Sequence, residues 1–286
     1  MMKRSKFCLI GIPDHQAVIG RLGAKDGPRA FRRAFSSLSG RFLTQEFLTD
    51  IGDVTELTPQ VEENHRLAAD LIRDGHLDWD GSVVVGGGHD HGFSHLLGIH
   101  EALQVRKGSP RIGCLNIDAH FDLRSSKPKI TSGSPFFLAI ESGILNPKRL
   151  VEFGIQSHCN APSLWQYAEE KGINTIPFEK LRAGRAIPLF RKALKLLARK
   201  SDCVVLSLDL DAAASAFAPG VSAPQAEGFT ASEVITMAEI AGEENKCISL
   251  GIFELNPVHD RDDQTSRLAA TAAFHFLEKK IQKLKK

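Results

Sequence analysis

Eight short apolar runs, each followed by a segment of helical pattern, constrain this chain more than any other feature. The runs are Phe7 to Ile12, Gln45 to Ile51, Ser82 to Val85, Arg111 to Ile117, Leu150 to Ile155, Asn174 to Ile176, Cys203 to Leu208 and Cys247 to Phe253. The helical segments include Arg29 to Phe35 behind Pro28, Val61 to Arg73 with Gly75 as its stop, Phe93 to Val105, and a stretch from Ser134 to Glu141. Ser163 to Lys171, Pro188 to Arg199, a helix from the capping box Thr230-Ala231-Ser232-Glu233 to Ala241, and Gln264 to Lys280 complete the series. Strands that alternate with helices predict a mostly parallel sheet covered on both faces. A closed barrel also needs eight such units, but irregular element lengths and Gly-rich, non-repeating loops favour an open sheet.

A chain of 286 residues, 42% hydrophobic, has ample core for this, and without a linker or internal repeat one domain over 1–286 is the economical reading. The net charge of +2, with no dense basic run beyond the lysine-rich end, argues against nucleic acid as a partner. With no signal-peptide pattern and no apolar stretch of membrane-spanning length, the expected location is the cytoplasm. Cys8, Cys114, Cys159, Cys203 and Cys247 are odd in number and widely spaced, against a disulfide framework or a structural zinc site. Four sit in strand-like runs as small core residues. Cys159, beside His158, reads more simply as packing than as a nucleophile.

Three runs end alike. The third leads into Gly86-Gly87-Gly88-His89, the fourth into Asp118-Ala119-His120-Phe121-Asp122, and the seventh into Asp209-Leu210-Asp211. Alternate residues of an extended chain share a face, so Asp118, His120 and Asp122 can converge. In an open parallel sheet, all carboxyl strand ends lie along one edge, where ligands bind. His89, Asp118, His120, Asp122, Asp209 and Asp211 can therefore meet in one crevice. Any one alone reads as a loop or cap residue; jointly, three strand ends carrying ligands on one edge do not. Six ligands, four of them carboxylates, exceed what a catalytic zinc takes and suit two divalent ions sharing carboxylates. Oxygen-rich mixed ligation favours Mn²⁺. A dinucleotide loop at Gly86 to Gly88 is a poor match, because its third glycine is misplaced. His91 reads as an outer or surface residue.

These motifs resemble those of the ureohydrolases: arginases, agmatinases and formimidoylglutamases. The resemblance covers nearly the whole chain. It implies a three-layer α/β/α sandwich on an eight-stranded, mostly parallel sheet, two manganese ions, and a homo-oligomer, a trimer or hexamer. It also implies that His89, Asp118, Asp122 and Asp209 hold one ion, and Asp118, His120, Asp209 and Asp211 the other. Within the family, the triple glycine before His89, Ser132-Gly133-Ser134-Pro135-Phe136 and Ala218-Pro219-Gly220-Val221-Ser222-Ala223-Pro224 look like the formimidoylglutamase branch. Phe137 departs from it, standing where that branch has arginine.

The implied reaction is hydrolysis of a small amidine, N-formimidoyl-L-glutamate and water giving L-glutamate and formamide, a step of histidine breakdown. Asp122 or Asp118 would carry the proton to the leaving amine. Glu254, at the end of the last strand, would pair with the cationic amidine. Arg124, Ser132 and Asn160 are candidates for orienting a substrate carboxylate. Two alternatives are a guanidino hydrolase releasing urea and a non-hydrolytic metal-binding protein on the same scaffold.

Overall fold

A computed structural model of the chain describes residues 7–40 and 47–284. Its strands are β1 (Phe7–Gly11), β2 (Leu48–Asp53), β3 (Gly81–Val85), β4 (Ile112–Ile117), β5 (Leu150–Ile155), β6 (Asn174–Pro177), β7 (Cys203–Asp209) and β8 (Cys247–Phe253). The helices are α1 (Gly27–Ser36), α2 (Val61–Asp78), α3 (His91–Lys107), α4 (Pro135–Glu141), α5 (Pro162–Lys171), α6 (Ala186–Lys200), α7 (Ala231–Glu243) and α8 (Gln264–Leu284). All eight strands pair in parallel, in the order β2-β1-β3-β8-β7-β4-β5-β6. The sheet is open, as the irregular element lengths predict.

Helices cover both faces because strand side chains alternate between them. Phe7, Leu9, Val83, Val85, Leu115 and Ile117 point into one core with α1, α6, α7 and α8. Cys8, Ile10, Val84, Ile112 and Cys114 point into the other, with α2, α3, α4 and α5. Strands buried on both faces read as unbroken apolar runs. Four of the five cysteines are free and buried, and Cys159 is half-buried and free.

Most elements differ from expectation by a few residues at an end, and two of these differences have a clear physical reason. Strand β2 begins at Leu48, because its pairing with β1 runs from Phe7↔Leu48 to Gly11↔Asp53. Gln45 and Glu46 lie outside the described residues. At this edge of the sheet the polar Asp50 and Asp53 are met by the Arg32 guanidinium of α1. Helix α2 runs through Gly75 to Asp78 rather than stopping there. A Cβ at Gly75 would lie 3.2 Å from Cys8 Sγ and from Ile10 Cδ1, so this glycine lets the helix approach β1 closely. The capping box at Thr230 is present, with Thr230 Oγ1 accepting from Glu233 N and Glu233 accepting from Thr230 N.

Strands β3, β8, β7 and β4 are neighbours at the centre of the sheet. Their carboxyl ends therefore bring residues 89, 254, 209–211 and 118–122 side by side.

Candidate metal centre

Each acidic motif begins with the same local turn. Asp118 Oδ1 accepts the amide of His120 at 2.7 Å, and Asp209 Oδ1 accepts that of Asp211 at 2.8 Å. A short carboxylate bonding the backbone two residues on is an Asx-type turn. It leaves the other oxygen of each carboxylate turned toward His89. The second half of the first motif needs one unusual conformation: Asp122 has φ 51°, a left-handed value that a non-glycine residue seldom takes. Glu254, φ 64°, shares it. Both strained residues aim a carboxylate into the site.

His89 sits at the centre. Its Nδ1 lies 3.1 Å from Asp118 Oδ2, 2.9 Å from Asp122 Oδ2 and 3.1 Å from Asp209 Oδ2. Its Nε2 lies 2.8 Å from the Ser207 hydroxyl. The ring stacks on Phe253 at 4.9 Å between centroids and meets the edge of Phe136. The triple glycine allows this placement: a Cβ on Gly87 would fall 1.6 Å from the Asp14 carbonyl oxygen. Beside this group, His120 Nδ1 lies 3.0 Å from Asp211 Oδ2 and 3.6 Å from Asp118 Oδ1. The ligand atoms gather as His89, Asp118, Asp122 and Asp209, and as Asp118, His120 and Asp211.

This arrangement is incomplete without cations. Three carboxylate oxygens surround one imidazole nitrogen that no hydrogen bond satisfies, and Asp211 Oδ1 is likewise buried and unpaired. With Nε2–H donated to Ser207, Nδ1 presents a lone pair to three anions, an orientation that a positive ion between them makes favourable. Without one, burial and mutual repulsion raise Asp209 well above the carboxylate range and lift Asp211 to about 6. Burial also favours neutral Asp118, but the hydrogen bonds and charge of His120 and His89 outweigh it and hold that carboxyl low. The donor set, two imidazoles and four carboxylates, fits two divalent ions of borderline hardness such as Mn²⁺.

A cavity of about 120 Å³ opens over the cluster, lined among others by His120, Asp122, Asp209, Asp211, Glu254 and Arg124. Glu254 Oε1 accepts the backbone N–H of His89 at 2.8 Å, while Oε2 is buried without a partner. Burial pushes this carboxyl up to about 7, with the Ser222 hydroxyl and the His89 N–H opposing and Asp211 adding to the rise. Also lining the cavity, the half-buried Arg124 guanidinium makes no hydrogen bond or ion pair among the described residues. Ser132 and Ser222 also line the cavity.

Three expectations change. Asn160 does not line the cavity. Its amide is spent on backbone, accepting from Phe121 N and donating to the carbonyls of Ala119 and Gln156, so it fixes the acidic loop instead of a ligand. Asp118, a candidate proton carrier, is enclosed and off the cavity wall, its second oxygen shared between His89 and Asn116 Nδ2, whereas Asp122 lines the cavity. His91 is fully buried against His65, Asp90 and Asp14, not a surface residue. Phe137 packs on Tyr167, 5.8 Å between centroids, outside the cavity lining.

Sequence reasoning missed Glu152 beneath the site. It is fully buried, bonded through Oε2 to Asn116 Nδ2 at 3.0 Å, and burial raises its carboxyl well above the usual range. Its position inside a strand, amid apolar neighbours, was the available signal.

The arginase family model matches residues 5–278. The formimidoylglutamase of Staphylococcus carnosus (strain TM300) is 34% identical over 262 residues, covering 90% of this chain and 80% of that protein. The crystal structure of Trypanosoma cruzi formiminoglutamase with Mn²⁺ superposes with a TM-score of 0.87 at 26% identity, over 97% of this chain and 94% of that one. That of formimidoylglutamase from Bacillus subtilis subsp. subtilis str. 168 gives a TM-score of 0.87 at 24% identity, over 97% and 88%, a likeness of fold.

Proposed function

We propose, from the premise that this chain belongs to the arginase family, that residues 1–286 form one catalytic domain that hydrolyses N-formimidoyl-L-glutamate to L-glutamate and formamide. The observation that carries this reading is the charge pattern of the cavity: Arg124 and Glu254 both line it, with four members of the histidine–aspartate cluster, His120, Asp122, Asp209 and Asp211, forming its floor. A substrate with a carboxylate at one end and an amidinium at the other matches both. Arginine and agmatine also present a cation, but agmatine has no carboxylate for Arg124.

His89, Asp118, Asp122 and Asp209 would hold one ion, and Asp118, His120, Asp209 and Asp211 the other. Bound there, divalent manganese supplies Lewis acidity and brings the pKa of water toward neutrality. The remaining work falls to the side chains. Arg124 receives a substrate carboxylate through charge-assisted hydrogen bonds, with the Ser132 hydroxyl beside it. Glu254 Oε2, with no partner of its own, accepts an amidinium N–H and turns the amidine carbon toward the floor. As water adds to that carbon, Asp122 takes its proton and delivers it to the nitrogen of the departing glutamate, and the bond between carbon and that nitrogen breaks. Phe136 and Phe253 hold the His89 ring while this happens.

To the same proposal belong a cytoplasmic location, which the free cysteines suit, and self-association as a trimer or hexamer, which rests on the family resemblance alone. Among the described residues, no helix is long and apolar enough to cross a membrane. Incubating the manganese-loaded protein with formimidoylglutamate, agmatine and arginine tests the reading. Formamide from the first and little or no urea from the others is expected; urea as the main product would replace this reading with the guanidino one.

A further inference from the structure

We propose that His65, Asp90 and His91, with Asp14 beside them, form a separate site for one zinc-class divalent cation. His65 comes from the first turns of α2, Asp14 from the loop after β1, and Asp90 and His91 from the start of α3. The reactive atoms converge: His65 Nε2 is 2.8 Å and His91 Nε2 3.8 Å from the same Asp90 Oδ2, and His91 Nε2 is 3.2 Å from Asp14 Oδ2. One atom from each of His65, Asp90 and His91 falls within a 4.8 Å group. A tetrahedron with bonds of about 2.0–2.1 Å has edges of roughly 3.3 Å, which these separations bracket.

Three further observations point to a ligand. Asp90 stands at the N-cap of α3 yet makes no capping hydrogen bond, so its carboxylate is not serving the helix. Its Oδ1 is buried with no hydrogen-bond partner at all. Asp14 and Asp90 are 4% and 1% exposed, and among the described residues no lysine or arginine pairs with either. Asp14 accepts from Gln16 N and Asn64 Nδ2, so the buried oxygen left without a partner is Asp90 Oδ1, a cost that a bound cation would relieve.

One of the two histidines, His91, is oriented in the manner of a metal ligand. His91 Nδ1 is engaged by the Ser94 hydroxyl at 3.1 Å, which directs Nε2 inward, just as Ser207 engages the far nitrogen of His89. Two imidazoles with one or two carboxylates select zinc over magnesium or calcium, which prefer all-oxygen shells. The ion would tie α2 to the turn that presents His89, since Asp90 and His91 follow that residue directly.

Crystals of the full-length protein equilibrated with excess Zn²⁺, with data collected at the zinc absorption edge, locate each ion by position. We expect an anomalous peak between His65 Nε2, His91 Nε2 and the Asp90 carboxylate, apart from any peak at the His89 cluster. His65→Gln should remove that peak alone and lower bound zinc by about one equivalent per chain. No peak there in the wild-type map, or one that survives His65→Gln, overturns the proposal; the wild-type map decides alone if the variant does not fold. Peaks absent from the His89 cluster while this one is present would count against the two-ion centre and leave this site standing.

Discussion

At the scale of single residues, the chemistry turns on which atoms are left without partners. His89 Nδ1, Asp211 Oδ1 and Glu254 Oε2 are buried and unsatisfied; Asp211 and Glu254 line the cavity, and His89 Nδ1 faces Asp122 and Asp209, which also line it. The first two call for cations and the third for an amidinium. Asp118→Ala removes the carboxylate that reaches both His89 and His120, so bound manganese and activity should fall together while the circular dichroism spectrum stays native; full activity in this variant would refute the shared-ligand arrangement. Arg124→Met should leave metal content unchanged and raise KM for formimidoylglutamate. Losing a hydrogen-bonded charge costs about 1.5–3 kcal/mol, a drop in kcat/KM of roughly ten- to a hundredfold. The six candidate ligands stood out in the sequence because each lies at or within five residues of the end of an apolar strand, and the fold brings their atoms together. Asn160 was misread because a polar residue after a strand looks the same whether its amide faces a ligand or, as here, three backbone groups of the acidic loop. Asp90, His91 and His65 were not read together because their meeting depends on how α2 packs beside α3, which no local pattern encodes.

At the scale of elements, the glycine turn after β3 and the capping of α7 give separable tests. Gly87→Ala places a methyl where the Asp14 carbonyl stands, 1.6 Å away, so the turn must shift and carry His89 with it. The cost should be about 1–3 kcal/mol in chemical denaturation, with weakened manganese binding besides. Thr230→Ala removes the hydroxyl that accepts from Glu233 N, and should cost about 1 kcal/mol with turnover unaltered. A loss of turnover there would mean that α7 is coupled to the site. Element type was legible almost throughout, because the central strands are buried on both faces and read as unbroken apolar runs. The boundaries were less so. Strand β2 is an edge strand whose polar residues are tolerated by Arg32, and Gly75 looks like a helix stop until its contact with β1 is seen.

At the scale of the whole molecule, the centre sits where the central strands β3, β7 and β4 end, so ions there would join three separate chain segments at once. Ions that bind only the folded chain stabilise it by mass action, about 2.7 kcal/mol for each at a concentration about a hundred times Kd. Chelation should therefore lower the melting temperature by several degrees, and Mn²⁺ should restore it; a melting curve indifferent to both would argue against the cluster as a metal centre. The amidine carbon of formimidoylglutamate has two C–N bonds, and the account specifies which one breaks. Hydrolysis by the manganese-loaded protein in ¹⁸O-labelled water, read by mass spectrometry, should give formamide carrying the label and unlabelled glutamate. Labelled N-formylglutamate with ammonia, or no hydrolysis at all, would contradict it.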